Sequence, residues 1–260
     1  MDHAVSLKVL AERHIDGVKK TTQFKIDPRI IEIEEGFNAR PLDKDHIEEF
    51  KVSYKTGAVL PPVFVRVEEG RIILIDGHHR VAALMKLIAD GEDIVSIDAI
   101  QFRGNDADRV AHMLTSAQGL PLTPLQMGSA YKRLVNFGWG VKEISARVGK
   151  TYTHVSEMLK LTEANSDVRG MVERKEVAAH TALKLVRKHG EKAGQVASAH
   201  LETAKKNGKK KVTAKIINKI SLIQAIRNEM AGGEMAEEVC PEYALEILYL
   251  RDSLRDSLDK

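Results

Sequence analysis

Cysteine is almost missing from this 260-residue chain, Cys240 being the only one. A lone thiol excludes an internal disulfide framework and fits a reducing compartment. Aromatic residues make up only 5% of the chain, so its cores must be built from Leu, Ile, Val and Ala. No apolar run approaches the roughly 20 residues that span a bilayer. The opening segment MDHAVSLKVLAERH lacks a basic start followed by an apolar block, which argues against a secretory leader. The expectation is a cytoplasmic chain with no membrane partner. Charge of one sign is also scarce: the net charge is +3 with 30% charged residues. Bulk charge therefore argues for no nucleic acid, and only its local distribution can. There is no Walker-type phosphate loop, so a partner ATPase would be a separate chain. No His or Cys cluster has ligand spacing, and no metal site is expected.

What the chain does contain falls into three parts. Residues 24–104 mix strand and helix signals, residues 105–190 are helical, and residues 191–260 are a helical C-terminal region suited to oligomerisation. Strand-like pieces lie at 24–27 and 30–33, a helix at 43–54, a hairpin at 63–67 and 72–75, and a further strand at 94–102. Short β-branched runs bounded by Gly and Pro carry these assignments. Helices are expected at 1–20, 106–115, 124–136, 141–147, 152–160, 165–174, 178–188, 191–206, 213–230 and 241–260. Thr123-Pro124 supplies an N-cap followed by proline at the first helical position.

The most informative segment is Ile73-Leu74-Ile75-Asp76-Gly77-His78-His79-Arg80-Val81-Ala82-Ala83-Leu84. An aliphatic strand ends at Asp76, Gly77 permits a sharp turn, and a helical run follows. The free N–H groups of a helix start, with the positive end of its dipole, form a cradle for anions. Arg80 can add a fork of donors matched to phosphate. Asp76, Gly77, His78, His79 and Arg80 are thus candidate phosphate-binding residues. A plain surface connection with a charged rim fits the same pattern. So does an enzyme, a phosphotransferase, nucleoside triphosphatase or nuclease using Asp76 or a His as base.

A second polar segment lies at 141–160. Val141 to Val148 and Tyr152 to Leu159 fit two short helices around Gly149, whose tolerance of positive φ suits a helix-turn-helix. Ile144, Val148, Val155 and Leu159 form the expected apolar seam. Lys150, Thr151, Tyr152, Thr153, His154, Ser156, Glu157 and Lys160 are left as candidates to contact double-stranded DNA. The same helices could instead belong to a plain bundle that serves as a protein adaptor. Trp139 is expected to pack. Met127, Met158 and Met171 are assigned as core filler, and His112, His180, His189 and His200 as surface or cap residues.

In this order, the segments over residues 24–190 resemble the ParB family of plasmid and chromosome partition proteins. Asn38-Ala39-Arg40 is similar to the family's early arginine motif, and Gly77 to Ala83 to its GxxRxxA phosphate motif. Ala117 to Pro124 resembles the linker before its helix-turn-helix, and residues 141–161 match that motif most closely. The resemblance implies an α+β fold: a small ParB/sulfiredoxin-like N-terminal domain, then an all-α helix-turn-helix domain and a helical C-terminal tail. It implies CTP or another nucleotide held by Gly77 and Arg80, with Arg40 and Gln118. It also implies nucleoid or plasmid association, sequence-specific DNA binding and a role in partition or transcriptional control. A homodimer is expected from the way such readers pair on inverted half-sites. His78 and His79 stand where the family carries Glu and a second Arg. Thr115 and Ser116 stand where it carries a metal-associated Glu-Asn pair, which leaves Mg²⁺ open. Sulfiredoxin itself needs a Cys where this chain has His78.

Overall fold

The computed structural model describes residues 12, 22–116, 119–206 and 211–212. Gln118 lies outside the described residues. So do the expected helices over 213–230 and 241–260 and, apart from residue 12, the one over 1–20. The chain forms two compact units, Met1–Thr151 and Tyr152–Lys260.

The first unit is built on a five-stranded sheet. Its strands are β1 (Phe24–Ile26), β2 (Ile31–Glu32), β3 (Val63–Glu68), β4 (Arg71–Asp76) and β5 (Ile97–Gln101), in the order β1-β5-β3-β4-β2. β3 and β4 form the expected antiparallel hairpin, with Val65 opposite Leu74 and Glu68 opposite Arg71. Its two loop residues, Glu69 and Gly70, both have positive φ, which matches the right-handed twist of the flanking strands. β1 pairs antiparallel with β5, while β2–β4 and β3–β5 are parallel. Ile73, Leu74 and Ile75 are all buried. Three consecutive buried residues require cover on both faces of a strand, because side chains alternate. Leu74 joins Val81, Leu84 and Leu87 of helix α2 (His78–Ala89) in the core. Helix α3 (Asp106–Ser116) also reaches β4, where Arg109 donates to the Leu74 carbonyl at 3.2 Å.

Helix α1 (Lys44–Lys55) is N-capped by Asp43, whose carboxylate accepts from the His46 N–H at 2.9 Å, and it packs on α2. Helix α4 (Pro124–Asn136) opens with a full capping box. The Thr123 hydroxyl accepts from the Gln126 N–H and the Gln126 side-chain Oε1 accepts from the Thr123 N–H, at 3.3 and 2.9 Å. Such reciprocal bonds satisfy N–H groups that the helix itself cannot. Helix α5 (Val141–Val148) ends at Gly149 with φ +64. The second unit contains α6 (Tyr152–Glu163), α7 (Ser166–Glu173), α8 (Ala179–His189) and α9 (Ala193–Lys206). Val155, Met158, Leu161, Val168, Met171, Leu183, Leu185 and Leu201 are buried among them.

Several expectations are corrected. The helical run expected after the turn begins directly at His78, so His78, His79 and Arg80 lie within helix α2. The buried face of α6 runs Val155, Met158, Leu161, and Leu159 is only half-buried. Met127 is likewise only half-buried. His112 is no surface residue: its ring sits 4.5 Å from Phe64 and 5.5 Å from Phe102, and burial lowers its pKa. His200 is half-buried as well, with its pKa lowered for the same reason. The shift to helix at residue 105 does not coincide with a break in compactness, because α3 packs on β4 and α5 and α4 on α3. Nor does one fall at residue 190, since Ala193, Ala197 and Leu201 of α9 are buried and α9 packs on α8.

Candidate functional sites

The turn after β4 borders a cavity of about 430 Å³, within the usual range for small-molecule sites. Gly77 makes the turn possible on two counts. Its φ is +104, and a Cβ there would lie 2.5 Å from Val63 Cγ1. Arg40, Asp76, Gly77, His78, His79 and Arg80 all line this cavity, so residues about 40 positions apart in sequence are brought together. Sequence reasoning missed His46 and Phe50, which line it too, as does Ser116, singled out only for a metal-associated position of the family. The signal for His46 was available: it lies three residues after an Asp suited to N-capping, and so in the first turn of a helix that reaches the site.

The charged groups here are tied to one another. Arg80 donates to Asp76 Oδ2 and to the Pro62 carbonyl, each at 3.0 Å, and to the Pro61 carbonyl. Its fork thus closes on the protein instead of projecting freely. Ser116 donates to the other Asp76 oxygen at 3.1 Å. Arg40 donates to the Leu120 carbonyl; burial lowers its pKa, with Asp76 opposing.

His78 and His79 are 6% and 7% exposed. Burial pushes the His78 pKa down to about 4 against the attraction of Asp76. Burial, reinforced by Arg40 and His46, pushes His79 to about 4 as well. Both rings are neutral at pH 7. His79 Nε2 accepts from the Asp43 N–H at 3.0 Å, which fixes its tautomer and ties the turn to the start of α1. His78 Nε2 is buried without a hydrogen-bond partner.

The second candidate is the segment after Gly149. Lys150, Thr151, Tyr152, Thr153 and Lys160 are exposed, whereas His154, Ser156 and Glu157 are half-buried. Thr153, Ser156, Glu157 and Lys160 recur at the spacing of one helical face. Glu157 is held at 2.8 Å by Arg187 of α8, a neighbour that only the fold brings near. In the first unit, Arg147 lies 4.6 Å over the Trp139 ring and 2.9 Å from Asp108. Trp139 therefore packs under a paired arginine.

These features define a class: a small mixed α+β domain whose glycine turn opens a helix at a cavity, followed by helices carrying a helix-turn-helix segment. Residues 121–220 match the family model described as the ParB HTH domain. Residues 121–220 thus carry the helix-turn-helix domain of that family, and the chain is similar to ParB proteins beyond it. It is 29% identical over 136 residues to the chromosome-partitioning protein ParB of Myxococcus xanthus, covering 50% of this chain and 43% of the relative. It is 30% identical over 152 residues to the probable chromosome-partitioning protein ParB of Helicobacter pylori, covering 57% and 50%. The chain spans about half the length of the curated relatives it matches. Among solved structures it is similar to the C-terminally truncated ParB of Caulobacter crescentus, complexed to the centromeric parS site. That match has a TM-score of 0.52 and 16% identity, and covers 71% of this chain and 92% of the other. At that identity the likeness is one of fold.

Proposed function

We propose that this chain is a sequence-specific DNA-binding protein of the partition type, whose α6 reads a duplex major groove. One observation carries the reading: α6 follows a left-handed glycine turn and presents Tyr152, Thr153 and Lys160 to solvent, beside Ser156 and Glu157. Hydroxyl, carboxylate and ammonium groups on one helical face suit base edges and phosphates. The names of the relatives support partition, with transcriptional control as the neighbouring role. As a homodimer the protein would read inverted half-sites.

The cavity at Gly77 binds a phosphate-bearing ligand, a nucleoside triphosphate of the CTP type. Support comes from its volume, the start of α2 at its wall and the arginines that line it. Selection from random duplex DNA with the full chain tests the first reading. Enrichment of one sequence, lost on changing Ser156, is expected, and failure to enrich any sequence overturns it. Binding measured across the four triphosphates tests the second: saturable binding weakened by Arg40→Ala is expected, and absence of binding to all four overturns it.

A further inference from the structure

The wall of the Gly77 cavity carries three imidazoles, His46, His78 and His79, which can be neutral or cationic. His78 is the most telling. It is 6% exposed, and its Nε2 is buried with no hydrogen-bond partner. Buried polar atoms in folded proteins are nearly always paired, so an unpartnered one on a residue that lines a cavity calls for an explanation. His79 differs, because its Nε2 already accepts from the Asp43 N–H.

The groups that act on these rings come from four elements or their caps and from the segment that carries Arg40. Asp76 at the end of β4 draws a proton toward His78, while Arg109 of α3, His79 and Arg40 repel one. Arg40 and His46 repel one from His79, while Asp43 and Asp76 draw it. Burial adds to the repulsion and leaves both rings neutral, with pKa values of about 4. Both Asp76 oxygens are already engaged, one by Arg80 and the other by Ser116. An anion arriving in the cavity would therefore add negative charge where burial and two arginines hold a ring neutral.

We propose that occupation of this cavity is proton-coupled: a phosphate-bearing ligand is met by the His78 ring, which takes up one proton from solvent and donates it in a hydrogen bond to a ligand oxygen. No bond in the ligand breaks, and the proton returns to solvent on release. The inference rests on the phosphate reading of the cavity and adds its regulation. Affinity rises as pH falls from 8 toward 6, approaching about tenfold per pH unit per proton taken up. A fixed cation at this position would give no such dependence.

The test uses the full chain and CTP, observed through the ring-nitrogen resonances of the histidines at pH 7. One imidazole is expected to move from the neutral to the imidazolium range on saturation, and that change is expected to vanish in His78→Gln. The variant should bind CTP with at least severalfold less gain between pH 8 and 6 than the parent. If CTP binds and every ring stays neutral, the proposal is overturned. It is also overturned if the moving ring persists in His78→Gln. Should that variant fail to fold, titration of the parent still decides whether any ring changes state, and His79→Gln shows whether that ring is His79. Absence of CTP binding at every pH overturns the phosphate reading itself, and is thereby distinguishable from a pH-independent site.

Discussion

The turn at Gly77 and the face of α6 are both polar, yet they are built in opposite ways. At the turn, Arg80, Asp76, Ser116 and Arg40 bond to one another or to backbone carbonyls, and two histidines are buried neutral. On α6 the residues nearest Gly149 stand in solvent, and Glu157 is held by a salt bridge to Arg187. A site that encloses a ligand needs preset groups and accepts strain. A face that docks on a long polymer needs reach and few internal commitments. The first kind fails through folding and pH, the second through recognition.

Acid should separate the two regions most widely. The ordinary histidine pKa of 6.5 falls to about 4 for both His78 and His79 in the folded chain. Below pH 6.5 the unfolded chain binds protons that the folded chain refuses, so stability is full above that pH and is lost as pH drops toward 4. A loss on the order of 4 kcal/mol is expected at about 1.4 kcal/mol per pKa unit, discounted for relaxation. Urea midpoints of the ligand-free chain at pH 7, 6 and 5 measure it, and a flat series would contradict the neutral histidines. Gly77→Ala comes next. The φ of +104 and the 2.5 Å approach to Val63 together should cost about 2–3 kcal/mol in denaturant unfolding.

On the other side of the comparison, Ser156→Ala should leave the urea midpoint near the parent's. It should change discrimination between the selected site and its single-base variants by about 1–2 kcal/mol in competition binding. Equal weakening on all sequences would mean that Ser156 only contacts backbone. Thr123→Ala, at the start of α4, removes one half of a capping box and should cost about 1 kcal/mol by thermal unfolding. The smallest effect is Lys160→Ala, which should reduce the slope of log affinity against log salt by about one, with sequence preference unchanged.

The elements around the turn were legible because punctuation residues mark them: Gly77, the Glu69-Gly70 loop, Thr123-Pro124 and Gly149. Periodicity was less exact: Met158 is buried as expected, but Leu159, assigned to the seam, is only half-buried. The pocket's composition was half legible. Arg40 and the Asp76–Arg80 run were visible as local motifs, but His46 and Ser116 join them only through packing across long sequence separations. His112 was misjudged because nothing local signals that Phe64 and Phe102 will enclose it. Arg109 shows the same limit, since an arginine with no exposed surface does not announce itself by spacing.

That arginine has one more consequence. Its guanidinium lies 3.4 Å from the centre of the Phe37 ring, Arg133 lies 4.3 Å from the same ring, and Glu34 meets Arg109 at 2.5 Å. Arg133 also donates to the Phe37 carbonyl at 2.8 Å. A single benzyl group is thus riveted between cations from two later helices, three residues before Arg40. Excising the sheet as an isolated fragment ending at residue 104 would remove both rivets. The strip leading to Arg40 would then lose the fastenings that hold it.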